Sequence, residues 1–385
     1  MVPSTPPAVD QAPGRRVLTT WASVLVLLLL LGVFLTAIQL MGGAFKILGR
    51  EQADALFEGI SNPFAGLAVG ILATVLVQSS SVTTATVVAL VGAGQISIGH
   101  AVPIVMGANI GTSITNTLVS MGHITRKEEF RRAFAGATMH DFFNLIALLI
   151  FLPLELLTGF LEKGAIALTG ILATDAAAGG SYKSPIKAFF GGIAKSITAF
   201  ITDVLSLSGW PAAALALLIA LGMIVVSLMF ITKIMRRLMA AKVERALNEV
   251  LGKRGILGIL LGILLTVAVQ SSSITTSLLV PMIGAGVLSL EAAFPVTLGA
   301  NLGTTVTGLI ASLAAGPAGL TIALVHTLFN LAGIALIYPI PPLRKIPLRL
   351  ARGLADRAVK TRLYVLLYIF GVFVVLPVLG ILLFK

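Results

Sequence analysis

The sequence predicts an all-α polytopic membrane protein made of two inverted-topology repeats, each with a re-entrant helical hairpin and a broken transmembrane helix. Three observations predict it. The 385 residues are 57 % hydrophobic and 11 % charged, with a mean hydropathy of +1.04; soluble domains are about 25 % charged, and so few charges cannot coat a soluble core of this size. Residues 70–115 recur at 262–307 at a constant offset, without a gap, with 25 of 46 positions identical. The basic residues gather in short stretches between apolar runs, the pattern of cytoplasmic loops.

The elements follow in order. Residues 1–16 are Pro-rich and read as a disordered cytoplasmic N-terminus ending at Arg15 and Arg16. The apolar run Val17 to Leu40 is too long for a signal-peptide core, so 17–60 holds a retained first transmembrane helix and a loop. Residues 61–160 form repeat 1, with a hairpin over 64–92, a broken helix over 100–121 and a helix over 134–160. Residues 161–209 are an extracytoplasmic loop, ending in a stretch with Lys187, Lys195 and Asp203 that reads either as an interfacial helix or as a short span. Residues 210–254 give a linking transmembrane helix and a basic cytoplasmic loop. Repeat 2 covers 255–340, with a hairpin over 255–286, a broken helix over 293–315 and a helix over 319–340; 341–385 is a basic loop and the last transmembrane helix.

Charge sets the orientation. The clusters at 126–132, 233–254 and 344–362 belong in the cytoplasm. If 64–92 and 255–286 each enter and return, helix 100–121 runs inward and 293–315 runs outward. The two copies are then inverted, an arrangement typical of secondary transporters with a site near the midplane.

Each copy carries Gln-Ser-Ser-Ser, at Gln78, Ser79, Ser80, Ser81 and at Gln270, Ser271, Ser272, Ser273. Adjacent serines compete with the helix ladder by bonding nearby backbone, and unpaired peptide groups at bilayer depth need a polar partner. Hairpin tips lining a wet cavity meet both demands. The half-helix that follows, expected to begin near Val82 and Ile274, aims free N–H groups at the tip. Two such tips make a neutral, donor-rich cage for an oxyanion. Taken alone, either serine run would read as a helix-packing patch.

A second pair, Gly107-Ala108-Asn109-Ile110-Gly111-Thr112 and Gly299-Ala300-Asn301-Leu302-Gly303-Thr304, reads as an unwound point whose carbonyls, Asn and Thr oxygens suit Na+. The alternative is a glycine packing face. His140 and His326 read as structural groups. Asp141 is a carboxylate inside an apolar run, a cation-site candidate. No Lys, Arg, Asp or Glu occurs from Asn62 to His123, and only Glu291 from Gly255 to Leu343. A dianion entering this interior meets no fixed cation near the repeats, so a co-bound cation is the source of countercharge, and symport is favoured over anion uniport.

Composition also excludes. Aromatics are few and not interleaved with the basic residues, against nucleic-acid binding. There is no cysteine, so thiolate metal sites are absent. A lipid phosphatase would need Arg or a carboxylate beside its nucleophile, and neither lies near the serine runs. A channel, or a transporter of another oxyanion, stays open. The oligomeric state is not readable.

The duplicated QSSS, GANIGTS with GANLGTT, and FRRAFAGATMHDFFN at 130–144 resemble the type II sodium-dependent phosphate cotransporters. The resemblance implies a multi-pass cell-membrane symporter of inorganic phosphate and Na+, without cofactors. Phosphate is expected on Gln78 to Ser81 and Gln270 to Ser273. Sodium is expected on Thr83, Thr84, Asn109, Thr112, Asp141, Asn144, Thr275, Thr276, Asn301, Thr304 and Asn330, and no transition metal is expected. In that family an Asp in the His-Asp-x-x-Asn stretch accompanies electrogenic transport, so Asp141 implies net charge movement with divalent phosphate. The short, cysteine-free loop 161–186 departs from the animal members and points to a prokaryotic one.

Overall fold

The computed structural model describes residues 20–49, 52, 62–173, 185–250 and 255–384. The expectations for residues 1–16, for Lys253 and Arg254, and for the middle of the loop at 174–184 lie outside them.

The described residues are helical. Among the described residues six helices are long and apolar enough to cross a membrane: Trp21–Leu48, Lys127–Thr158, Gly209–Leu238, Leu290–Ala315, Pro317–Ile337 and Leu363–Phe384. The chain begins with α1 (Thr20–Leu48). The first duplicated unit then comprises α2 (Pro63–Val77), α3 (Ser80–Gly92), α4 (Ile98–Gly111), α5 (Ile114–Ser120) and α6 (Lys127–Thr158). Next come α7 (Phe160–Leu172), α8 (Pro185–Ala199) and α9 (Gly209–Val250). The second unit comprises α10 (Gly255–Val269), α11 (Ser272–Gly284), α12 (Leu290–Ala315) and α13 (Pro317–Ile337). The chain closes with α14 (Pro341–Lys360), α15 (Leu363–Phe370), a π turn (Gly371–Val375) and α16 (Leu376–Phe384).

The hairpin arms are short. At 15 residues, α2 and α10 reach only about 22 Å, against roughly 30 Å of hydrocarbon. Neither arm spans alone. Asn62 caps the start of α2, its Oδ1 accepting from the Phe64 N–H, and Pro63 at the first helical position has no donor to lose.

The two halves interlock by exchange. Each first arm stays at home, α2 on α4 and α10 on α12. Each second arm crosses over: α3 packs on α12 and α13, and α11 packs on α5 and α6. Outside the repeats, α1 packs on α9 and α8, α14 on α6, and α16 on α2.

Four expectations need correction. The second broken helix is not broken, since α12 runs unbroken from Leu290 to Ala315. In repeat 1 the break does occur, but at Thr112–Ser113, after the glycines. The glycines instead bring helices together. A Cβ on Gly107 would lie 2.1 Å from the Leu67 carbonyl oxygen, and one on Gly299 1.9 Å from that of Ile259. The loop after 160 opens with a helix, α7, capped by Glu155, whose Oε2 accepts from the Leu161 N–H at 2.6 Å. The two basic loops are helical too. The stretch from Lys233 continues α9 to Val250, and Arg344 to Lys360 lies in α14.

Charged groups at two of these ends meet. Arg131 pairs with Glu128 and with Asp356 of α14, Arg352 pairs with Glu291, and the Arg362 guanidinium lies 4.3 Å from the Phe130 ring centre. The first and last basic clusters therefore share one end of the molecule.

Candidate functional site

Each hairpin turns on two residues. Gln78 and Gln270 adopt left-handed backbone (φ 56° in both) where helices ordinarily end on glycine. Ser79 and Ser271 are extended, and their Oγ atoms accept from the N–H groups of Val82 and Ile274, each at 3.3 Å. A glutamine kept in a conformation that glycine adopts freely is kept for its side chain. The Nε2 groups of Gln78 and Gln270 donate to the carbonyls of Val75 and Val267 at 2.6 and 2.7 Å. Their Oε1 atoms accept from Thr115 and Thr307 at 3.2 and 3.4 Å. Each amide thus caps its own helix and ties the tip to α5 or α12, leaving part of its donor capacity for the cage.

The following half-helices begin at Ser80 and Ser272, two residues earlier than expected. Ser80, Ser81, Ser272 and Ser273 therefore occupy the first turn, where N–H groups have no intrahelical acceptor. Their hydroxyls make no hydrogen bond among the described residues. All eight residues of the two tetrapeptides line one cavity of about 250 Å³, closed on one side by Val225, Leu228, Met229 and Thr232 of α9. No Lys or Arg is among its described lining residues. The tips meet, and the cavity between them is neutral and rich in donors.

Threonines brace each hairpin in matched pairs. The Thr74 hydroxyl donates to Thr83 and that of Thr266 to Thr275, both at 3.0 Å. Thr83 and Thr275 donate in turn to the Ser79 and Ser271 carbonyls. The match ends one residue on. Thr276 donates to Asn116 Oδ1 at 3.0 Å, whereas the Thr84 hydroxyl is buried without a partner. The repeat equivalent of Asn116 is Gly308, which has no side chain to offer.

The four asparagines form a buried clasp between the halves. Asn109 Nδ2 donates to Asn330 Oδ1 and Asn301 Nδ2 to Asn144 Oδ1, both at 2.8 Å. Asn301 also donates to Asn330 Oδ1 at 2.9 Å. Asn144 and Asn330 donate to the backbone carbonyls of Asn109 and Asn301. His326 Nε2 donates to Asn109 Oδ1 at 2.9 Å. His140 Nε2 accepts from Asn144, so its Nδ1 carries the proton and donates to Ser113 Oγ at 3.1 Å. Three of the four asparagine oxygens are thus taken by protein donors. Thr112 and Thr304 each bond their own helix carbonyl, at 3.1 Å. As folded here, these six side chains are occupied with each other or with backbone, in contrast to the open oxygen set expected for Na+.

Asp141 points elsewhere. Successive residues on a helix lie about 100° apart, and while His140 faces the clasp, Asp141 faces α15. Its Oδ2 accepts from the Tyr368 hydroxyl; its Oδ1 is buried and unpartnered. Asp141 makes no hydrogen bond to the asparagines. Tyr368, Asn116, Ser113 and the pair Thr115 and Thr307 escaped the sequence reading. The threonine pair left a signal, being identical across the repeat. Tyr368 left none, because it lies outside the duplicated segments. Among the described residues no group of three His, Asp or Glu side chains could hold a metal ion.

The chain is similar to known proteins. The profile of the family described as Na+/Pi-cotransporter matches residues 33–169 and 214–339. The Sodium-dependent phosphate transport protein 2A of Rattus norvegicus is 34 % identical over 415 residues, covering 90 % of this chain and 65 % of that protein. The 2A protein of Ovis aries is 34 % identical over 94 % of this chain and 68 % of its own length. The 2B protein of Homo sapiens is 33 % identical over 91 % of this chain and 64 % of its own length. The chain thus spans about two thirds of the length of these relatives. No solved structure matches it.

Proposed function

Because the chain belongs to the Na+/Pi-cotransporter family, we propose that it is a secondary transporter carrying inorganic phosphate into the cell together with Na+. One observation carries the reading: both Gln-Ser-Ser-Ser tips open into the same neutral cavity of about 250 Å³. Two helix N-termini aim free N–H groups there, and four uncommitted serine hydroxyls surround them. Such donors suit the oxygens of a small oxyanion. The absent countercharge is supplied by the co-transported cation.

For that cation, the buried oxygens without a protein partner include Asp141 Oδ1 and the Thr84 hydroxyl. We place sodium ions at these, with Thr83, Thr275 and Thr276 beside the tips as further oxygens. The asparagines and Thr112 and Thr304 serve in another conformation, once the clasp loosens. The halves are read as inverted repeats. The reciprocal bonds Asn109 to Asn330 and Asn301 to Asn144 support a two-fold relation, and the shared basic end supports opposed directions. The site is in the cell membrane, and transport is electrogenic through Asp141. A second reading, another oxyanion on the same cage, is favoured by the absence of any group specific to phosphate among the lining residues.

Proteoliposomes with defined gradients decide. Phosphate uptake is expected with inward Na+ and is expected to fall to leak level when choline replaces Na+; full-rate uptake in choline overturns the coupling. Sulfate competing as well as phosphate favours the second reading. Asp141→Gly is expected to lower the charge moved per phosphate while uptake continues, and an unchanged ratio removes the electrogenic assignment.

A further inference from the structure

A larger cavity of about 550 Å³ lies far from the tips, between the C-terminal part of α1, the end of α3 and α8. Lys46, Lys187 and Lys195 line it, with Asp203 as the one acid among its described lining residues. Asp203 Oδ1 already accepts from the Thr202 hydroxyl at 2.7 Å. The basic end is marked by the pair Arg352 with Glu291 at the start of α12. At the other end of that helix, a Cβ on Gly316 would come within 3.2 Å of Lys187 Nζ. The 26 residues of α12 separate the two ends by about 39 Å. Positive charge is disfavoured on the side opposite the basic clusters, yet three lysines there share one hollow.

Among the described residues no Lys or Arg lines the tip cavity, so a cationic hollow elsewhere would be the place to gather an anion. Clefts lined by one sign of charge concentrate counter-ions and raise encounter rates. The 13 residues of α3 join the two cavities over about 20 Å. From this geometry we infer that the hollow is a collecting site for a phosphate group, held by Lys46 and Lys195 at the face opposite the basic end. This deepens the phosphate reading and rests on it for its purpose. The bound group is either free inorganic phosphate or the phosphodiester of an anionic lipid headgroup.

The test uses the full chain in vesicles of phosphatidylcholine, and in parallel in vesicles containing phosphatidylglycerol. Lys46 and Lys195 are acylated with an amine reagent and quantified by mass spectrometry. Inorganic phosphate is expected to slow their labelling several-fold relative to chloride at equal ionic strength in the neutral vesicles. Protection that appears only with phosphatidylglycerol assigns the site to a headgroup. Labelling that neither anion alters overturns the site. This arm needs no transport, so it decides the site even if the wild-type chain carries no phosphate, a result that would sink the function reading alone. In the uptake assay, the double variant K46Q/K195Q is expected to raise the phosphate KM about 3- to 10-fold, with kcat within about twofold. The shift shrinks at about 0.5 M salt, where the Debye length is only a few ångströms, and K46R/K195R restores the wild-type KM. An unaltered KM in the Gln variant overturns the collecting role.

Discussion

Asp141 has one carboxylate oxygen engaged and one left over. The engaged oxygen fixes where the other points, so Tyr368 is a positioning residue for whatever Oδ1 meets. A hydrogen bond to a charged group contributes about 1.5–3 kcal/mol. Tyr368→Phe is therefore expected to raise the half-saturating Na+ concentration by about tenfold or more, with the phosphate KM at saturating Na+ near wild type; identical Na+ curves would deny the hydroxyl a role. A charge inside an apolar run made Asp141 legible in the sequence. Tyr368 was illegible for the opposite reason, as a tyrosine in a span looks like any aromatic until a partner is placed beside it. Thr84 and Thr276 show the same limit. The alignment makes them equivalent, and only the fold reveals that Asn116 serves one while Gly308 leaves the other bare.

The helices obey simpler rules. The duplicated glycines were read as points of unwinding, yet both copies use them as points of contact. Glycine lowers helix propensity and removes a side chain at once, and sequence alone does not say which consequence matters. Here the neighbouring carbonyl decides. Gly107→Ala and Gly299→Ala are each expected to lose the folded, monodisperse protein in detergent, since backbone cannot move aside as a side chain can. Gly222→Ala, with nothing within 4 Å, is expected to keep its thermal midpoint. The asparagine clasp belongs to this scale too, because it joins α4 and α6 to α12 and α13. Asn109→Ala and Asn301→Ala are each expected to destabilise by about 1–3 kcal/mol. Their double variant should lose less than the sum, since both donate to Asn330. Additive shifts in thermal unfolding would mean that the clasp is not one network.

At the scale of the molecule, the duplication was the most legible feature. It fixed the two hairpins, the paired tips and their meeting, because a gapless match between distant segments is hard to produce otherwise. The exchange of second arms was not legible. An alignment relates each copy to the other and is silent on which copy an arm will touch. That exchange has a consequence for how the chain comes into being. The serine-rich end of α3 is made long before its seat exists, since α12 begins about 200 residues later. At synthesis rates of 5–20 residues per second, the wait is on the order of 10–40 s. Through that interval the polar tip of a short hairpin must be sheltered from lipid by something other than its final neighbours, and the insertion machinery, or water held at the bilayer surface, is left to guard it until the second half arrives.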